Sequence, residues 1–268
     1  MSQTRYLMES EEESIRLELK TDPRAMRKQA RWAGIEKGMR VGDLGCGSGK
    51  TTYNLNRLVQ PGGFSLGIDI SPRRIGYAQD HYKAPGLDFA VGDIRKPLEP
   101  HGSFDFIWIR FVLEYYRFAA FDIVQNVCSV LRPGGILCLV DLDYNCLTHF
   151  GMSPELERAM KGVMQHLEEN ADFDPYIGRK LYSYLYDLGF SEIRVDLSAH
   201  HLIYGPIKRN DLFNWVKKIE IAGRQSGYEF KEFQNGFEGF YAEFKAFFCD
   251  PRRFTYTPLI ICRGKKSY

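Results

Sequence analysis

Three short apolar runs in the first third of the chain end in the same way, and this most constrains the fold. Met39 to Leu44 runs into Asp43-Leu44-Gly45-Cys46-Gly47-Ser48-Gly49, Phe64 to Ile70 carries Asp69 near its end, and Leu87 to Val91 is followed by Gly92-Asp93-Ile94. Short apolar runs bounded by turn-forming residues read as buried strands. Helical segments lie between them: Lys50 to Gln60 closes on Pro61-Gly62-Gly63, and Ser71-Pro72 opens a helix to about Tyr82 with a hydroxyl cap and a proline in its first turn. Phe104 to Ile109 and Ile136 to Leu142 add two strands around a helix from about Ala119 to Leu131. Repeated strand-helix units predict a parallel sheet with right-handed crossovers.

The remainder is patterned differently. A helix follows Ser153-Pro154 to about Glu169, Asp172 to Pro175 breaks it, and Gly178 to Leu188 forms another, closed by Gly189. Ser191 to His200 reads as a sixth strand, Lys208 to Asp250 as aromatic and largely helical, and Phe254 to Cys262 as the last strand. Ahead of the sheet lies a polar helical segment whose inward positions are Ile15, Leu17, Leu19, Met26 and Trp32. The expectation is an α/β fold: a Rossmann-like, mostly parallel seven-stranded sheet with helices on both faces. Residues 39–207 and 251–268 would form this core, residues 1–38 an N-terminal helical segment, and residues 208–250 a helical lid inserted before the last strand.

Composition excludes several classes. With 44% hydrophobic and 26% charged residues the chain is neither disordered nor fibrous. Its 36 basic and 34 acidic side chains leave a net charge of +2, too little to draw it onto a polyanion, so no nucleic-acid partner is expected. The six cysteines show neither a CxxC pair nor zinc-type spacing to histidine, which predicts no metal and buried free thiols. Met1 to Ser10 lacks the basic flank and apolar stretch of a leader, and no apolar run is long enough to span a bilayer, so a cytoplasmic protein without a membrane partner is expected.

In an open parallel sheet, ligands bind at the strand carboxyl ends where the strand order reverses. The glycines after Leu44 allow close approach of backbone to a ligand and leave the next helix's N–H groups aimed at it. A turn shaped by packing, or a dinucleotide loop, would use glycines similarly, but neither explains Asp43. A carboxylate at that strand end repels a pyrophosphate and suits an ammonium or sulfonium. Asp69 can accept both vicinal hydroxyls of a ribose, and Asp93 can accept from an exocyclic amine.

Taken with the run FDFIWIRFVLEYY and the later LRPGG, the segments DLGCGSG, GIDIS and VGDI resemble those of the class I S-adenosylmethionine-dependent methyltransferases over residues 39–142. The resemblance implies S-adenosylmethionine as cofactor and S-adenosylhomocysteine as product. It places Gly45, Gly47 and Gly49 against the methionine part, Asp43 near its amino group, Thr51 at its carboxylate and Asp69 on the ribose. Ile70 and Ile94 would sandwich the adenine, Asp93 would bond its amino group, Gly92 would be a further cofactor-binding position, and the backbone carbonyl of Arg110 would take the methionine ammonium. The family often has histidine or asparagine near Arg110. A guanidinium is a poor neighbour for a sulfonium, so this one is expected to point away, toward an acidic acceptor or Glu114.

Methyl transfer is an in-line displacement in which alignment dominates and a base serves only a protonated acceptor. The segment after the fifth strand offers His149 as the first candidate base and Asp143 as the second. Tyr6, Tyr176, Tyr182, Tyr204, Trp215 and Tyr228 could enclose a small organic acceptor, the expected partner, which would be methylated on oxygen or nitrogen. The alternatives are transfer to RNA or protein, or binding of the cofactor without transfer.

Overall fold

The structure, a computed structural model, describes residue 18 and residues 22–267. Ile15, Leu17, Leu19 and Tyr6, singled out above, lie outside the described residues. Helix α1 (Pro23–Ala33) begins at an Asp22 cap and precedes the first strand-helix units: β1 (Arg40–Leu44), α2 (Lys50–Val59), β2 (Phe64–Asp69), α3 (Pro72–His81) and β3 (Leu87–Val91). The Ser71 hydroxyl caps α3 by accepting the Arg74 N–H, and Pro72 opens the helix, as the sequence predicts. Strand β4 (Phe104–Arg110), α4 (Ala120–Val127) and β5 (Leu131–Leu142) follow. Strand β5 starts earlier than expected because Leu131 already pairs with Phe104, ahead of a register shift at the Pro133-Gly134-Gly135 step.

After β5 come β6 (His149–Phe150), α5 (Pro154–Asn170), α6 (Leu181–Asp187), β7 (Ser191–Ala199), β8 (Ile203–Tyr204), α7 (Arg209–Ser226), α8 (Gly236–Cys249), β9 (Phe254–Thr255) and β10 (Pro258–Lys265). The seven-stranded sheet has the order β3-β2-β1-β4-β5-β10-β7, parallel except that β10 runs antiparallel to both of its neighbours. From β1 the chain builds outward through β2 and β3, then returns to lay β4 on the other side of β1. The order therefore reverses at the β1/β4 junction, which opens a crevice at their carboxyl ends.

Alternation along the central strands explains why both faces are covered. Ile107 and Ile109 point to a core completed by Ile123 and Val127 of α4 and Leu181 and Leu185 of α6. Phe106 and Trp108 point the other way, against Met26 and Ala30 of α1 and Leu55 and Val59 of α2. Successive strand residues face opposite sides, so a strand apolar at every position is stable only between two helical layers.

Three expectations are corrected here. The sequence places the helix after Ser153 within the sheet core, yet the buried stripe of α5 (Leu156, Met160, Val163, Leu167) packs against Trp215 and Ile219 of α7 and Phe240 and Phe244 of α8. An apolar stripe shows that a helix is covered but not by what. Phe254 to Cys262 is not one strand: β9 joins β6 and β8 in a separate three-stranded sheet, and β10 begins at Pro258. Proline has no N–H to continue the β9 ladder and is tolerated where a strand starts. Lastly, Cys249 is exposed, although all six cysteines are free. Among the described residues, no helix is long and apolar enough to cross a membrane.

Candidate active site

The glycine loop between β1 and α2 lies at the β1/β4 junction. Gly45, Gly47 and Gly49 all have positive φ (+80°, +57° and +89°), the region that side-chain-bearing residues avoid. The loop folds back over β2, with the Gly45 and Cys46 N–H groups donating to the Ile68 carbonyl at 2.7 and 3.0 Å. Gly49 serves packing: a Cβ there would stand 2.6 Å from the Ala78 Cβ and 2.9 Å from the Phe89 ring.

Asp69, at the end of β2, accepts the Gly47 N–H on Oδ2 at 2.9 Å. Its Oδ1 accepts the Ser71 N–H at 2.9 Å and two guanidinium donors of Arg74, Nε at 3.0 Å and Nη2 at 2.9 Å. The carboxylate thus leaves most of its remaining capacity on Oδ2. Asp93 is pinned by Arg95, whose Nε and Nη2 donate at 2.9 and 2.8 Å. Burial pushes the Asp93 carboxyl up, but the hydrogen bonds and charge of Arg95 outweigh it and hold the acid below its ordinary range.

Asp43 is buried behind the loop, where it accepts the Thr52 hydroxyl at 2.6 Å. Burial raises its pKa from 3.8 to about 7; the Thr52 hydrogen bond and the Arg110 charge oppose the rise, and the Asp69 charge adds to it. A folded-state value above the unfolded one means that Asp43's favourable contribution is complete below about pH 4 and is lost as pH rises through about 7. Urea unfolding of the wild type and Asp43→Asn across that range should show the wild type losing stability relative to the variant up to about pH 7, then a constant difference. A difference that does not move with pH would contradict this placement of the acid.

Of the expected cofactor positions, Gly45, Gly47, Thr51, Asp69, Ile70, Gly92, Asp93, Ile94 and Arg110 line one cavity, while Asp43 and Gly49 stand behind its wall. Cys46, Ser48, Lys50, Arg74, Tyr115 and Tyr116 were not anticipated on that wall. Arg74 was the most legible of these, one helical turn beyond the Ser71-Pro72 start and five residues after Asp69. Glu18 clasps the loop, accepting from the Ser48 hydroxyl and the Tyr82 hydroxyl at 2.7 Å each while its backbone carbonyl accepts from Lys50.

The residues present fit an adenosyl sulfonium better than a pyrophosphate. Three carboxylates lie in or just behind this wall, and two of its cations are already committed, Lys50 to Glu18 and Arg74 to Asp69. Ile70 and Ile94 supply apolar surface of the kind a purine ring needs.

A second cavity of about 520 Å³ adjoins the first, built from α1, the end of β7 and the start of α7. Its wall includes Gln29, Trp32, His200, His201 and Asn214, and Arg110 lines both cavities. The Arg110 guanidinium lies 4.0 Å from the centre of the Phe111 ring. Burial lowers its pKa to about 10 against the pull of Asp43, Asp141 and Asp22.

Neither His149 nor Asp143 lies on either wall. His149 is enclosed by Trp215, Phe244 and Phe247, shares a 2.8 Å hydrogen bond with the Thr255 hydroxyl, and is pushed down to about 4 by burial. Asp143 is held by Arg179 through bonds of 2.9 Å to each of its oxygens. Glu114 does not receive Arg110; it accepts from the Asn145 amide, whose oxygen in turn accepts from Lys218. Tyr176, Tyr182, Tyr204, Trp215 and Tyr228 do not line these cavities: Tyr204 stacks on Phe254 at the surface, and Trp215 is buried in the helical core.

Residues 35–188 match the family model described as a methyltransferase domain. The chain is 32% identical over 151 residues to an uncharacterized 37.1 kDa protein in transposon TN4556 of Streptomyces fradiae, covering 56% of this chain. It is 30% identical over 110 residues to a ubiquinone biosynthesis O-methyltransferase of Sinorhizobium fredii, covering 40% of this chain. Each alignment spans only 42% of the relative's own length. The fold is shared with phosphoethanolamine N-methyltransferase 2 of Haemonchus contortus, solved in complex with S-adenosyl-L-methionine, at a TM-score of 0.54 and 15% identity over 92% of this chain and 52% of that one.

Proposed function

The chain belongs to the class I S-adenosylmethionine-dependent methyltransferases, and from that premise we propose that it methylates oxygen or nitrogen of a small organic acceptor held in the second cavity. One observation carries this reading: the glycine-loop cavity and a second cavity share Arg110, at the carboxyl end of β4. When bound, S-adenosylmethionine supplies an electrophilic methyl group. The chain's own part is to fix geometry. Asp69, locked by Arg74 and the Gly47 N–H, would offer Oδ2 to ribose hydroxyls, Ile70 and Ile94 would flank the adenine, and the Asp43 side would favour a cationic amino group.

The second cavity is a pocket walled by side chains of α1, β7 and α7. Such a shape suits a molecule that can be enclosed, and enclosure excludes water from the displacement. His200 and His201 bring imidazoles to its wall, able to accept a proton from a hydroxyl or an ammonium. We place the proton acceptor there rather than at His149 or Asp143, whose surroundings are an aromatic core and an ion pair.

The test uses S-adenosylmethionine labelled in its methyl group, the purified protein and a cell extract separated into small-molecule, RNA and protein fractions. Label in the small-molecule fraction is expected, and mass spectrometry of that fraction identifies the acceptor. Label confined to RNA or protein would overturn the acceptor class, and no transfer to any fraction would count against catalysis.

A further inference from the structure

We propose that the second cavity selects a small hydroxy or amino carboxylic acid, its carboxylate gripped by the guanidinium of Arg110. The proposal rests on reading that cavity as the acceptor site and names the acceptor's chemical class.

A guanidinium carries five N–H donors and no acceptor, and one enclosed by protein is ordinarily paired. Arg110 is not: its Nε is buried without a hydrogen-bond partner, and no carboxylate among the described residues forms an ion pair with it. The three acids that offset its charge are committed elsewhere. Asp43 accepts from Thr52, Asp141 accepts the Leu113 and Leu142 N–H groups, and Asp22 accepts the Arg24 and Ala25 N–H groups that it caps. The Phe111 ring, 4.0 Å away, holds the guanidinium in place. A planar fork so held matches a carboxylate with two parallel hydrogen bonds.

The same wall states what else the ligand carries. Gln29 and Asn214 add amide side chains to the wall, groups able to hydrogen-bond a hydroxyl or an amine. Trp32, Ala199 and Leu259 give apolar surface for a hydrocarbon body. The wall also carries Asp22, Asp196 and Asp211 against only Lys28 and Arg110, a balance that opposes a doubly charged phosphate and tolerates a monoanion.

Calorimetric titration of the cofactor-free protein tests this, with lactate, mandelate, alanine and phenylalanine each set against its amide, and S-adenosylhomocysteine titrated into the same preparation. At least one acid should bind at least about tenfold more tightly than its amide, the loss expected when a charge-assisted hydrogen bond is replaced. Arg110→Gln should abolish that preference, whereas Arg110→Lys, which keeps the charge but not the fork, should keep part of it. Circular dichroism identifies any variant that fails to fold, and the acid-amide comparison in the wild type needs no variant. Failure of every acid to outbind its amide, in protein that binds S-adenosylhomocysteine, overturns this proposal and leaves the proposed function standing. A preference that survives in folded Arg110→Gln also overturns it. Protein that does not bind S-adenosylhomocysteine would instead count against the proposed function.

Discussion

Asp69→Ala is expected to lower the unfolding free energy by about 3 to 5 kcal/mol, the cost of stripping one partner from a buried ion pair. The side chains of Arg74 and Asp69 are only 7% and 6% exposed, so the guanidinium left behind would lose the carboxylate that balances it in a poorly solvated place. The Gly47 and Ser71 N–H groups would lose their acceptor in the same step. Binding should fall as well, because Oδ2 is the carboxylate oxygen with capacity left for a ribose: S-adenosylhomocysteine affinity should drop by about 1 to 3 kcal/mol, the range for hydrogen bonds to a charged group. The double variant Asp69→Ala/Arg74→Met separates the two effects. It should recover much of the stability, since replacing both members of a buried pair with apolar groups is often close to neutral, yet recover none of the binding. Urea unfolding and calorimetry measure the two quantities independently. A double variant that binds S-adenosylhomocysteine as well as the wild type would remove Asp69 from the cofactor site.

Gly45→Ala should cost about 2 to 5 kcal/mol of stability, through two mechanisms that add. Gly45 sits at φ +80°, where an L-residue pays about 1 to 2 kcal/mol. Its new Cβ would stand 2.3 Å from the Val112 Cγ2, so the loop after β4 must move, with an overpacking cost of about 1 to 3 kcal/mol. Val112 lies on the cavity wall, so that movement should also weaken binding of S-adenosylhomocysteine. Adding Val112→Ala relieves the contact but not the backbone strain. Thermal unfolding of the double variant should therefore show only partial recovery, and full recovery would mean that the left-handed conformation carries no cost here.

How much of this was legible depends on how local the signal is. Strands β1 to β3 and the turns after them were readable because each apolar run is short and ends in glycine or aspartate, and β1 and β2 each lead straight into a helix. Nine of the eleven expected cofactor positions share one wall for the same reason: strand ends fall together once the strand order is right. Asp43 and Gly49 were found by the same pattern, but burial behind the wall is a property of packing that no motif carries. The second cavity has no motif. It is assembled from residues as distant as Gln29, Arg110, His200 and Asn214, which meet only because β7 lies beyond β10 at the sheet edge and α1 and α7 close over it. His149 shows the converse. Its residue type and place after β5 suggested a base, whereas its function-relevant property, enclosure by Trp215, Phe244 and Phe247, comes from helices about seventy to one hundred residues later in the chain. The start of β10 at Pro258 was in plain view, and weighting the missing N–H would have divided the last strand correctly.

The central claim is that the cavity at the β1/β4 junction holds S-adenosylmethionine, and the most direct measurement is calorimetric titration of the purified protein with S-adenosylhomocysteine and, separately, with NAD. The account predicts saturable one-site binding of S-adenosylhomocysteine, weakened in Asp69→Ala/Arg74→Met, and no binding of NAD. Saturable NAD binding with no heat from S-adenosylhomocysteine would contradict it, because a pyrophosphate would then sit on a glycine loop whose neighbouring cations Lys50 and Arg74 are already committed to Glu18 and Asp69.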